Sequence, residues 1–292
     1  MIISRLVGGL GNQMFQYAAG RALADCLGTS LRLDLSSLRS RSKSMTARAY
    51  GLDSFHINAE LSDPPELLLS NLAPSFPSLI GWLNRRQVLT ESGLDYMPSF
   101  FRSPDETVLI GYWQSHRYFA NIAGKLFTEF QPRTSLSPEN AAFAKLLSDD
   151  THSLALHIRR GDYVGLPSAS DFHGSLGDAY HWGAIKLANQ YDENLKLFIF
   201  SDDIEWCRVH FCGMTNVVFA PSPANAHPWE DMMLMGLCRG NIIANSSYSW
   251  WSAWFGDMRY GAQNRLVIAP KRWFARQTFC AADRFPAHWT LI

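Results

Sequence analysis

Leu154-Ala155-Leu156-His157-Ile158-Arg159-Arg160-Gly161-Asp162-Tyr163-Val164 begins as an apolar run and ends in a cluster of charge. The aliphatic part reads as a buried strand. The carboxyl end of such a strand is where open α/β sheets bind their ligands. Paired guanidinium groups at that point, Arg159 and Arg160, suit an anion, because Arg grips phosphate or carboxylate with a rigid two-pronged fork. The plainer alternative is an Arg–Asp ion pair that ties down a turn. An adhesion loop built on Arg160-Gly161-Asp162 is disfavoured by its attachment to a buried-type strand.

Downstream, apolar runs at 153–158, 195–200, 216–220, 241–245 and 265–269 alternate with helical stretches at 178–190, 204–211, 229–239 and 248–255. That alternation predicts a doubly wound parallel sheet. Its strand ends repeat the polar theme. The first ends in His157-Ile158-Arg159-Arg160, the second in Ser201-Asp202-Asp203, and the fourth runs through Asn245-Ser246-Ser247-Tyr248-Ser249 into a helix. Hydroxyls and amides at a helix start hold phosphate well. Asp202 or Ser246 alone is explained as a helix cap worth about 1 kcal/mol. Capping does not explain the arginines, and the set together predicts a nucleoside-diphosphate site. Adjacent aspartates also occur at divalent-metal sites, but Asp202 and Asp203 lack the one-residue spacer that puts both carboxylates on one face of an extended chain. Arg159 and Arg160 are expected to neutralise the diphosphate instead.

Upstream, 2–7 reads as a strand, Gly8-Gly9-Leu10-Gly11-Asn12-Gln13 as a loop, 14–27 as a helix and 31–35 as a second strand. This is a β-loop-α-β unit, which favours a parallel sheet. Gly9 and Gly11 give G-x-G, but Met14 stands where a dinucleotide fingerprint needs its third small residue. Asp34 sits where such folds place a ribose-binding acid, so a nicotinamide oxidoreductase is the rival from a different class. Residues 36–62 are rich in serine and arginine and read as a long substrate-contacting loop. The proline-bearing stretch 63–104 yields only short helical pieces at 65–72 and 79–83. A strand at 108–114, a helix at 118–130, a linker at 132–138 and a short helix at 140–147 follow. The chain is accordingly divided into 1–150 and 151–292, two Rossmann-like domains whose parallel sheets face a central cleft.

A chain of 292 residues with 47% hydrophobic and 18% charged residues has ample material for a core. Acids and bases number 26 each, so no global field points to nucleic acid or an anionic membrane. Ten tryptophans and ten tyrosines fit sugar- or base-stacking platforms, or equally a Trp-rich core. Platforms without turnover would make a carbohydrate-binding protein, the third class considered. Five cysteines without a C-x-x-C pair read as buried free thiols in a reducing compartment, with no zinc site. No run approaches the roughly 18 apolar residues of a membrane span. A soluble, cytoplasmic protein is expected, with peripheral association at the inner face of the membrane as its only membrane contact.

Gly8 to Ala18, Gly111-Tyr112-Trp113-Gln114 with Arg117-Tyr118-Phe119, His157 to Val164, Asp231-Met232-Met233-Leu234-Met235 and Ile242 to Trp251 together resemble the bacterial α-1,2-fucosyltransferases of glycosyltransferase family 11. The match is collinear to about Trp273 and is weak at 36–104 and 165–177. The resemblance implies an α/β, GT-B type fold and GDP-β-L-fucose as donor, bound by the 151–292 domain. It implies inverting transfer to the 2-hydroxyl of a terminal galactose on an oligosaccharide acceptor, on the 1–150 side, with no cofactor and no metal. By position it implies that Arg159 binds the diphosphate, with Arg160 supporting its loop. His157 and one of Asp202 or Asp203 would contact guanosine. Ser246, Ser247 and Ser249 would hold phosphate, Asn245 would join the donor site, and Gly9, Gly11, Asn12 and Gln13 would close on the donor. The catalytic set is Arg159 and Asp162, although His116 or an acid of 36–62 serves as well for the base. One departure is Tyr180-His181, where relatives show paired tyrosines.

Overall fold

The computed structural model describes residues 1–39, 48–62, 87–160, 176–274 and 282–292. The helical pieces expected at 65–72 and 79–83 lie outside the described residues. So do Asp162 and the loop that carries it. The chain divides into two units, Met1–Arg133 with Ala282–Phe285, and Thr134–Ala281 with Pro286–Ile292. The division falls before residue 138 rather than at 150, so the helix expected at 140–147 belongs to the second unit.

In the first unit the described strands are β1 (Ile2–Arg5), β2 (Leu31–Asp34), β3 (Glu60–Leu61), β4 (Gln87–Thr90) and β5 (Thr107–Ile110). They form one sheet in the order β3-β2-β1-β5-β4, and every pairing is parallel. Helix α1 (Leu10–Cys26) follows β1 and begins earlier than periodicity suggested, so Gly11, Asn12 and Gln13 form its first turn. Its buried residues include Met14, Phe15, Tyr17, Ala18, Ala22 and Leu23. One short turn, α2 (Ser36–Arg39), follows β2. The helix expected at 118–130 is two 3₁₀ turns leading into α3 (Ala123–Glu129).

The second unit contains α4 (Pro138–Asp149), β6 (Ser153–Ile158), α5 (Asp178–Tyr191), β7 (Lys196–Ser201), α6 (Ile204–His210), β8 (Val217–Phe219), α7 (Glu230–Met235), β9 (Gly240–Ile242), α8 (Ser247–Tyr260), β10 (Leu266–Ala269) and β11 (Thr290–Leu291). The sheet order is β11-β10-β9-β6-β7-β8, again with every pairing parallel. Read in chain order this is 3-2-1-4-5-6, the doubly wound order of dinucleotide-binding domains. Every residue of β6 is buried. Leu154, Leu156 and Ile158 pack with Ala184 and Ile185 of α5 and Phe211 just after α6. On the opposite face Ala155 joins Phe143 and Leu147 of α4 and Leu234 and Met235 of α7. The period-2 alternation of the strand therefore serves two helix layers.

Most described tryptophans go into cores. Trp113, Trp229, Trp250 and Trp251 are at most 2% exposed, while Trp182 is 40% exposed. The Trp-rich core, not the stacking platform, accounts for them. Cys207 and Cys238 are buried free thiols, as expected, but Cys26 and Cys212 are exposed. Each lies at a helix end, where an apolar neighbourhood in sequence does not bring cover. No described helix is long and apolar enough to cross a membrane.

Candidate functional site

In the second unit the order reverses between β6 and β9, and a ligand crevice opens at the carboxyl ends of such a pair. The register pairs Leu156 with Ile242 and Ile158 with Ser201. The exits of β9, β6 and β7 are thus neighbours, and Asn245-Ser246, His157-Arg160 and Ser201-Asp203 share one sheet edge.

The arginines are held by the aspartates. Arg159 Nη1 lies 3.1 Å from Asp202 Oδ2. The Arg160 backbone N–H donates to Asp202 Oδ1 at 2.8 Å, so one carboxylate fixes both the backbone and the guanidinium of the turn. Arg160 Nε donates to Asp203 Oδ2 at 3.1 Å, and its guanidinium stacks 3.9 Å over the Trp206 ring. Asp203 also caps α6 by accepting from Trp206 N–H. Both carboxylates are engaged with arginine. The geometry gives Asp202 and Asp203 to the arginine turn, where a guanosine contact was expected for one of them. Among the described residues no three of His, Cys, Asp and Glu gather into a metal-binding group.

His157 is 5% exposed, and its Nδ1 has no hydrogen-bond partner among the described residues. Burial pushes its pKa down to about 3, with the Arg159 charge adding to the effect, so the ring is neutral near pH 7. It lies 6.0 Å from the ring of Tyr248, whose hydroxyl accepts from Met232 N–H and donates to the Pro228 carbonyl. A neutral imidazole with an unspent nitrogen suits the edge of a base. His181, the departure from the paired tyrosines, is 4% exposed, and burial lowers its pKa to about 4. Asp231 lies close enough for its charge to raise the Tyr248 pKa. Burial lifts the Asp231 pKa to about 6, with the neighbouring Glu230 charge adding to it. Asp231 stands in the first turn of α7, where an acid is ordinarily explained by the helix dipole, so its residue type alone does not mark it as a site residue.

The start of α8 is mixed. Ser246 is the N-cap, accepting from Tyr248 N–H, and Ser246 and Ser247 are half-buried. Asn245 is buried and donates to the Trp273 carbonyl. Ser249 is buried, and its hydroxyl turns back to the carbonyls of Ala244 and Ser246. The hydroxyl of Ser249 therefore faces the helix, not a phosphate; its spacing on the helix puts it one turn inward.

The first unit reverses between β1 and β5. Gly8 has φ +84°, a left-handed conformation that favours glycine, and a Cβ there would lie 2.5 Å from Asn12 Nδ2. Apart from its chain neighbours, no atom of the described residues lies within 4 Å of a Cβ placed on Gly9. Gln13 is wholly buried: it donates to the carbonyls of Gly8 and Ala49 and accepts from Gly51 N–H. Gln13 therefore braces the loop from behind, while Asn12 is half-buried and accepts from Gln114 Nε2 at 2.6 Å. Asp34, the candidate ribose acid, is wholly buried and accepts from Arg5 Nε at 3.0 Å and Ser36 N–H at 2.8 Å. That spends the carboxylate on which the oxidoreductase alternative depended.

Beyond β5 the backbone is strained. Trp113 has φ +54° and is fully buried. A bulky residue held there costs roughly 1–2 kcal/mol. Glu91 holds it: Oε2 accepts from Tyr112 N–H at 2.7 Å and Oε1 from Trp113 N–H at 3.1 Å. Burial raises the Glu91 pKa, and those two bonds and Arg284 oppose the rise. Arg284 is 1% exposed, and burial lowers its pKa to about 9 against the pull of Glu91 and Asp95. Its neighbour Asp283 pairs with Arg117 at 2.9 Å and accepts from Tyr96 N–H at 3.2 Å. Neither Glu91 nor Arg284 was singled out from sequence.

Two Rossmann-like units with parallel sheets, one carrying a cationic turn at its switch point, define a GT-B type glycosyltransferase. The family described as glycosyl transferase family 11 matches residues 98–292. The alpha-1,2-colitosyltransferase of Escherichia coli is 34% identical over 309 residues, covering 100% of this chain and 99% of the relative. Galactoside alpha-(1,2)-fucosyltransferase 1 of Ateles belzebuth is 27% identical, covering 89% of this chain and 67% of the relative. Among solved structures, Arabidopsis thaliana FUT1 in complex with GDP superposes with a TM-score of 0.51 at 11% identity, covering 96% of this chain and 72% of that one. That last likeness is one of fold. The chain belongs to glycosyltransferase family 11, a family that includes fucosyltransferases, and it is a glycosyltransferase.

Proposed function

We propose that the chain is an inverting α-1,2-fucosyltransferase that moves L-fucose from GDP-β-L-fucose to the 2-hydroxyl of a terminal galactose. The observation that carries this is Arg159, oriented by Asp202 at the β6/β9 switch point, on the same sheet edge as the start of α8. As the bond from the anomeric carbon to the GDP oxygen breaks, its electron pair stays on the β-phosphate. Preorganised donors aimed at that developing charge are the largest lever available to the protein. Arg159, with the hydroxyls of Ser246 and Ser247, supplies them. The galactose O2 attacks the opposite face and passes its proton to a base, for which Asp162 is the candidate.

The same reading gives the second unit the GDP moiety, with His157 and Asp231 toward the guanine, and the first unit the acceptor. Arg159 and Arg160 take the place of a metal. Cytoplasmic action, with peripheral association at the inner face of the membrane, belongs to the proposal too and is checked by fractionation. A second reading is favoured by the colitosyltransferase relative: the donor sugar lacks the 3-hydroxyl that distinguishes fucose from colitose. Both readings share GDP, Arg159 and the α-1,2 linkage.

One assay tests the proposal. Purified protein with GDP-fucose and a panel of β-galactosides should release GDP and give an α-1,2-linked product by NMR, at a rate unchanged by EDTA. Turnover with GDP-colitose but not GDP-fucose selects the second reading. Tight binding of NAD with no GDP binding refutes both.

A further inference from the structure

We propose that Glu91 is a positioning residue for transfer: it sets the exit turn of β5 so that Gln114, anchored on Asn12, presents its amide to a hydroxyl of the acceptor sugar. The proposal rests on the functional reading above and adds a site within the first unit. Asn12, in the first turn of α1, and Gln114, just past β5, meet at the carboxyl edge of the two strands where that sheet reverses. Gln114 Nε2 donates to Asn12 Oδ1 at 2.6 Å. Beyond that bond the Gln114 amide keeps a second N–H and a carbonyl oxygen, a donor and an acceptor side by side. A sugar hydroxyl, which both donates and accepts, is the complementary group. No net charge stands in the pair, so it suits a neutral polyol rather than a phosphate.

The position of Gln114 is set by the two residues before it. Trp113 is fully buried with φ +54°, a conformation that persists only where its surroundings over-determine it. Glu91 does so with both carboxylate oxygens, one on Tyr112 N–H and one on Trp113 N–H. Gly111 is required beside it, because a Cβ there would lie 2.5 Å from Glu91 Cβ. From the far side the turn is tied by Ser115, whose N–H donates to the Trp113 carbonyl and whose hydroxyl donates to the Asp283 carbonyl. Arg284 favours the ionised form of Glu91. A buried charge pair is a poor source of stability. What this one gives is geometry: two acceptors aimed at consecutive N–H groups. Glutamine has one acceptor, and its NH₂ would face a backbone donor.

The test compares wild type, Glu91→Gln, Glu91→Asp and Gln114→Ala by steady-state kinetics in donor and acceptor, calorimetric titration with GDP, and thermal melting. In Glu91→Gln the acceptor KM should rise tenfold or more, with GDP affinity within threefold of wild type and a larger fraction of donor lost to hydrolysis. Glu91→Asp should recover part of the acceptor KM. Gln114→Ala, at a half-buried position that need not cost folding, should show the same split and add little to Glu91→Gln in the double variant. Unchanged acceptor KM in Gln114→Ala, or equal losses in donor and acceptor terms, overturns the proposal whether or not Glu91→Gln folds. Wild-type turnover on a galactoside is the separate control: its absence refutes the functional reading, and the variants are then compared on whichever acceptor wild type does use.

Discussion

The two sheets reverse in the same way and carry opposite chemistry at the reversal. At β6/β9 the charge is at the surface: Arg159 and Arg160 are partly exposed, each held by an aspartate. At β1/β5 the charge is inside. Arg5 pairs with Asp34 and Arg284 lies near Glu91, all beneath a neutral edge of glycine, Asn12 and Gln114. On the two proposals above, one topology serves as an anion cradle when its ion pairs are exposed and as a hydroxyl platform when they are buried. Where the ion pairs sit, rather than whether they exist, separates the two.

The largest break in that comparison is Arg159→Lys. Lys cannot form the bidentate contact, and removing one preorganised donor from a developing oxyanion costs about 10²–10³-fold in rate. We expect transfer to fall by about 10³-fold with melting unchanged; wild-type turnover would cancel the phosphate role. Next is Asp34→Ala, which strands Arg5 in the core. Breaking a buried pair costs about 3–5 kcal/mol, so urea denaturation should show unfolding of the first unit at lower denaturant. Any folded fraction should bind GDP with wild-type affinity, and a selective loss of GDP binding would restore Asp34 as a ligand residue.

The smallest effect is a pH slope at His157. Its folded pKa, about 3, lies below the ordinary value of 6.5. The unfolded chain therefore takes up the proton first. The stability that depends on a neutral ring is complete above pH 6.5 and drains as pH falls toward 3, by at most about 1.4 kcal/mol per pH unit. His157→Gln removes that slope. Urea midpoints at pH 7, 5 and 4 should bring the variant closer to wild type as the pH drops, and a constant gap would mean that the ring is not buried neutral.

The second unit was the more legible half. Strands β6 to β10 are apolar runs bounded by turns, and their spacing alone implies a parallel sheet. Arg159 stood out because a guanidinium at the end of an apolar strand is out of place there, whereas Ser246 has the residue type of an ordinary helix cap. What failed to show depends on contacts distant in sequence. Strand β4 is a half-exposed edge strand in a proline-bearing stretch, without the apolar run that marks a buried one. Glu91 becomes notable only when Tyr112 and Trp113 arrive beside it. Ser249 and Gln13 share the residue types of ligand groups, and only their burial shows them turned inward. Asp34 was read as a ligand for the same reason, its partner Arg5 being invisible until β1 and β2 are aligned.

Arg284 has a consequence for how the chain is made. Residues Ala282–Phe285 belong to the first unit, whose other residues end at Arg133. On a ribosome adding about 5–20 residues per second, roughly 8–30 s separate synthesis of the two pieces. During that interval Glu91 and the turn it holds wait without the buried cation, while Thr134–Ala281 of the second unit emerge. The nascent first unit is thus a waiting partner, finished by four residues that follow it by almost 150 positions. A stop codon shortly before Ala282 would damage the half of the enzyme that had been made first.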